Sequence, residues 1–135
     1  MASLCLDLQK SLPHVYINTY LTPPKSAAVK AHADDRDVFV IQIIGEKQWK
    51  VYEEVPIEYP YDNEQVGKGD LPIPGSVFKK KPMLDITLKP GDILYMPRGC
   101  VHEAFTEQHL LSFHATVAIA THDWSLSKTI SSIVR

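Results

Sequence analysis

The chain has 135 residues, a net charge of −2 and 22% charged residues, with 44% hydrophobic residues. That length fits one domain, and the composition excludes wholesale disorder. The slightly acidic balance (pI about 6.3) excludes a protein whose main work is neutralising nucleic-acid phosphates, so no direct nucleic-acid partner is expected. No apolar run approaches the roughly 20 residues of a membrane span, and no membrane partner is expected. The start, Met1 to Asp7, has no basic stretch followed by an apolar one, so no secretory leader is predicted. Cys5 and Cys100 do not make a disulfide framework, which points to a reducing, intracellular compartment.

Ten prolines and six glycines divide the chain into short pieces. Val15 to Leu21 reads as a strand stopped by Pro23 and Pro24. Val38 to Ile44 is a β-branched run ending at Gly45, and Gln48 to Tyr52 is its expected hairpin partner across Gly45-Glu46-Lys47. Glu53 to Met83 holds five of the ten prolines and three glycines. A structureless connection of that length is usually functional, so it is a candidate substrate-facing loop. Leu84 to Leu88, Ile93 to Met96 and Val101 to Phe105 read as short strands. Leu110 to Thr121 reads as a longer one, with Ser112, His114, Thr116 and Ala118 on one face. From Asp123 the period turns helical through Leu126, Ile130 and Ile133. Seven or eight short strands with a helix only at the end predict an all-β, double-stranded β-helix (jelly roll) of the cupin type.

His32 and Asp34 stand at i and i+2, entering the strand near Val38, and if extended share a face about 6–7 Å apart. His102 lies on a later strand. Two imidazoles and a carboxylate form a facial triad that leaves positions open on a non-haem iron. Taken by itself, H-x-D is a weak signal and most such pairs are surface accidents; it also fits a capped turn, His102 a buried structural histidine, and Lys47 an exposed turn lysine. His114 reads as a hydrogen-bonded core residue and Trp49 as packing. Cys100 reads as a small buried residue, since a thiolate suits zinc better. His14, His109 and His122 read as surface residues.

The run from His32 to Tyr52 resembles the first signature of the JmjC oxygenases. Pro90 to Ala104 resembles the second, and Ser112-Phe113-His114-Ala115-Thr116 the strand that follows. The likeness covers Val15 to Trp124 and is strongest to the ribosomal-oxygenase subgroup. It implies Fe(II) bound by His32, Asp34 and His102, with 2-oxoglutarate as cosubstrate. It puts Lys47, fifteen residues after His32, on the distal carboxylate of 2-oxoglutarate, and Asn18 and Tyr20 on the wall of the cosubstrate pocket. Ala118 stands where the subgroup has a serine beside that lysine, and the segment between His102 and Ser112 is short.

The implied function is hydroxylation of a histidine or arginine side chain in a ribosomal protein. Histone N-methyl-lysine demethylation, an inactive JmjC-like binding module and a different cupin metal enzyme are the alternatives. The chain, 1–135, is expected to be a single catalytic core without the dimerisation and winged-helix parts of the subgroup. It is expected to be a monomer or weak dimer, nuclear or nucleolar in a eukaryote and cytoplasmic in a bacterium.

Overall fold

A computed structural model describes residues 2–12, 14–61, 64–107, 109, 111–120 and 130. A short helix, α1 (Ala2–Leu8), precedes eight strands: β1 (Val15–Thr22), β2 (Ala27–Ala33), β3 (Asp37–Ile44), β4 (Lys47–Val51), β5 (Leu84–Leu88), β6 (Ile93–Met96), β7 (Val101–Phe105) and β8 (Ser112–Ile119). They form two four-stranded antiparallel sheets, ordered β1-β8-β3-β6 and β2-β7-β4-β5. Successive strands β3 and β4 thus lie in opposite sheets, as do β5 and β6. This is the jelly-roll wrapping expected from the sequence.

The inner faces meet in one apolar cluster of Val38, Val40, Trp49, Val51, Leu88, Leu94, Met96, Ala104 and Ala118. Alternation along β3 sends Val38 and Val40 inward while Phe39 and Ile41 join Val15, Val117 and Ile119 on the outer side. There α1 supplies Cys5 and Leu8.

Three features differ from the sequence expectation. Gly45 does separate β3 from β4, but these strands pair with other strands rather than as a hairpin. Strand β2 is new, because Ala27 to Ala33 contains four alanines and little β-branching. Its pairing with β7, through two register shifts, overrides that weak local preference. The third difference is α1, whose residues carry no helix-capping signal to announce it. The helix expected after Asp123 lies outside the described residues except for Ile130, which is helical and exposed.

The segment from Glu53 to Met83 contains one short 3-10 turn, Val77–Lys79, and no strand among its described residues. It is nevertheless anchored. Val66 and Val77 are buried with Ala33, Tyr52 and Val101 in a second apolar cluster, and Ala33 N donates to Val66 O at 2.7 Å. No described helix is long and apolar enough to cross a membrane.

Candidate metal centre

Strands β2 and β7 run side by side in the register His32↔His102. The two imidazoles are therefore direct cross-strand neighbours, with ring centroids 4.4 Å apart. His32 belongs to β2 and not to the approach to β3, as the sequence had suggested. Asp34 follows immediately, where the chain bends before β3. Gly99 fixes that bend: its N–H donates to Asp34 O at 2.8 Å. Only glycine fits there, since φ is +82° and an added Cβ would stand 2.3 Å from Ile57 O.

The ligand atoms of His32, Asp34 and His102 all lie within 4.8 Å of one another. His32 Nε2 is 3.7 Å from Asp34 Oδ1, and His102 Nε2 is 3.8 Å from Asp34 Oδ2. Both separations exceed a hydrogen bond, so no lone pair is spent between members of the triad, although Asp34 Oδ1 also accepts from Lys68 Nζ at 2.7 Å. The other ring nitrogens are occupied. His32 Nδ1 pairs with Lys30 O at 2.7 Å, and His102 Nδ1 with Cys100 O at 3.0 Å. In a neutral ring Nδ1–H donates to that carbonyl and Nε2 keeps its lone pair, which is the tautomer a metal requires.

Burial, and then the neighbouring His102, lowers His32 to about 4. Burial likewise lowers His102. Both rings are thus neutral near pH 7. Burial alone would raise the Asp34 carboxyl, but the neighbouring His102 and the Lys68 ammonium outweigh it and hold the group below its usual value. Two neutral imidazoles and one carboxylate, with open space between them, fit a divalent transition metal such as Fe(II).

The triad opens into a pocket whose walls include Tyr20, Lys47, Trp49, His114 and Thr116. Lys47, the first residue of β4, is only 2% exposed, which excludes an exposed turn lysine. Its Nζ donates to Thr22 Oγ1 at 2.9 Å and lies 5.8 Å from the centre of the Trp49 ring. Burial lowers it to about 8. The Trp49 ring is 6.0 Å from that of His102, so the indole bridges lysine and triad along one wall. Tyr20 stacks on His114 at 5.0 Å, and burial together with the Asp34 charge raises its phenol.

Several expectations need correction. Asn18 stands beside the pocket wall rather than among the residues that line it, opposite Thr116 in the β1–β8 register. It is exposed on β1, an edge strand, and its side chain bonds Tyr20 instead. Ala118 does not sit beside Lys47: it is in the apolar cluster with Val38 and Met96. The hydroxyl next to Lys47 is that of Thr22, and the β8 hydroxyl on the pocket wall is that of Thr116. His114 is not a hydrogen-bonded core residue, because it lines the pocket and its Nδ1 has no partner. Trp49 does more than pack, for its buried Nε1 is also unpartnered at the pocket. The signal for Thr116 and His114 was present in the alternation of β8, and that for Trp49 in its i+2 spacing from Lys47. Cys100 is half-buried, with its thiol raised by burial and Asp37.

The JmjC domain model matches residues 3–126. The chain belongs to the JmjC domain family. A curated relative, the bifunctional lysine-specific demethylase and histidyl-hydroxylase NO66 of Drosophila persimilis, is 39% identical over 123 residues. That match covers 87% of this chain but 16% of the relative, so the JmjC chain spans about a sixth of that protein. Among solved structures, Escherichia coli YcfD shares the fold with a TM-score of 0.67 at 24% identity, covering 98% of this chain and 33% of that one. YcfD, described as a ribosomal oxygenase, in complex with cobalt and 2-oxoglutarate gives a TM-score of 0.58 at 24% identity, over 98% and 31%.

Proposed function

We propose that this JmjC chain is the catalytic core of a 2-oxoglutarate- and Fe(II)-dependent protein hydroxylase acting on a histidine or arginine side chain of a ribosomal protein. The observation that carries the proposal is the convergence of His32, Asp34 and His102 on one pocket that also buries the Lys47 ammonium. A buried lysine without a carboxylate partner is costly unless the pocket receives an anion. The described activities of the NO66 relative and of YcfD support the same class of activity.

His32, Asp34 and His102 would hold the iron, and bound iron with 2-oxoglutarate would supply the oxidising chemistry. The carbonyls of Lys30 and Cys100 keep each imidazole turned with Nε2 toward the centre. Lys47, assisted by Thr22 and Thr116, would take the distal carboxylate of 2-oxoglutarate and so fix its pose, which is positioning rather than chemistry. Val38, Val40 and Met96 line the same pocket and limit water. Lys68, from the anchored segment, lines the same pocket, so that segment would face the substrate.

Histone N-methyl-lysine demethylation is the second reading, favoured by the double activity in the relative's name. The test is mass spectrometry of ribosomal proteins and methylated histone peptides incubated with the chain, Fe(II) and 2-oxoglutarate. Gain of one oxygen atom on a ribosomal histidine or arginine, absent when any component is withheld, is expected. Loss of methyl groups from the histone peptide without that gain would favour the second reading. Turnover indifferent to 2-oxoglutarate would overturn both.

A further inference from the structure

Asp34 has another neighbour besides the two imidazoles. The Lys68 ammonium lies 2.7 Å from Asp34 Oδ1 and 2.8 Å from Gln65 Oε1. The backbone that delivers it is held hard against β2. Ala33 N donates to Val66 O at 2.7 Å, and Gly67 N to Leu71 O at 2.6 Å. Gly67 has φ +84°, and a Cβ there would stand 2.6 Å from Ala31 O and 2.8 Å from His32 Cα. The side chain of Lys68, by contrast, is 40% exposed and can rotate toward solvent.

The partners of the three triad residues are of opposite kinds. Each imidazole leans on a carbonyl oxygen, which strengthens its Nε2 as a donor to metal. Asp34 instead carries a cation, which draws its negative charge away from the centre. Asp34 and Lys68 carry opposite charges and pair directly. A divalent cation entering the triad would meet a like charge close by, at a partly buried site where screening is incomplete.

We propose that Lys68 is a built-in competitor for the metal. Its ammonium pairs with the Asp34 carboxylate, and a divalent cation taking Asp34 as a ligand has to displace it, while the backbone of the segment stays docked on β2. This rests on the reading of His32, Asp34 and His102 as metal ligands.

The test is titration with Mn(II), followed by the electron paramagnetic resonance of free Mn(II), with no cosubstrate present. The parent chain is compared with Lys68→Gln and Lys68→Arg, each checked by circular dichroism for folding. Lys68→Gln keeps length and polarity but not charge. It is expected to bind Mn(II) about three- to thirty-fold more tightly than the parent, the range for a pair between exposed and buried. Lys68→Arg is expected to stay within about twofold, since the competing charge is kept. Lys68→Gln binding equally or more weakly would overturn the proposal, and weaker binding would make Lys68 a support for Asp34. Tight binding by Lys68→Gln with none by the parent would support it strongly. Absence of binding in all three would overturn the metal reading itself, and the competitor with it.

Discussion

Replacing Lys47 by methionine should make the protein more stable while destroying its proposed hold on 2-oxoglutarate. Lys47 is 2% exposed, and burial lowers it from 10.5 to about 8. The folded state therefore binds this proton less tightly than the unfolded state does. Below about pH 8 the ammonium is carried in both states and its cost to folding is fully present. As pH rises from about 8 to 10.5 the folded state releases the proton first, and the cost disappears. A displacement of that size corresponds to about 3 kcal/mol. Methionine fills a similar shape without charge, but leaves the buried Thr22 hydroxyl without its 2.9 Å donor, which costs about 1 kcal/mol. The net expectation near neutral pH is a gain of about 2 kcal/mol, or roughly 7 °C in melting temperature. Urea unfolding of parent and variant at neutral and alkaline pH measures it. The gain should shrink as pH rises toward 10.5, with unchanged slopes in denaturant. A variant less stable than the parent, or a difference independent of pH, would refute the view that a desolvated cation is being held ready for an anion.

The same lysine sets the pH dependence of cosubstrate binding. Calorimetric titration of 2-oxoglutarate in the presence of Mn(II) should give a level affinity below about pH 8, falling by up to about tenfold per pH unit above it, because only the ammonium pairs with a carboxylate. Thr116→Val, on the pocket wall, should weaken 2-oxoglutarate about three- to tenfold through loss of a hydrogen bond that water partly replaces. Ala118→Ser should leave that affinity unchanged and cost about 1–2 kcal/mol of stability, since its hydroxyl would enter an apolar cluster. The two variants, titrated alike and melted alike, separate the pocket position from the core one. Gly67→Ala should destabilise the fold by about 2 kcal/mol or more in denaturant unfolding, because the Cβ would collide with β2 backbone at a left-handed φ.

The jelly roll was legible because β-branched runs such as Val38 to Ile44 are bounded by turn residues, and because period-two alternation survives along β5 and β8. The triad was legible as residue types, since H-x-D and a distant histidine are local text. What made it a site is non-local. The pairing His32↔His102 is a tertiary register, and β2 itself was hidden by alanines whose strand conformation is imposed by β7. Ala118 was set beside Lys47 by resemblance alone, whereas the packing of the neighbouring sheet decides which β8 side chain reaches the pocket. Lys68 left no signal, as a lysine in a proline-rich segment looks like any solvated charge until the backbone of Val66 and Gly67 is seen docked on β2.

The central claim is that His32, Asp34 and His102 form one metal centre, and the stoichiometry of Mn(II) binding tests it most directly. The parent chain should bind one Mn(II), and adding 2-oxoglutarate should alter the resonance of the bound ion. Asp34→Ala and His102→Ala should each weaken binding about a hundredfold or more while remaining folded, because each removes one of only three protein ligands. Parent-like Mn(II) affinity in either variant would contradict the account.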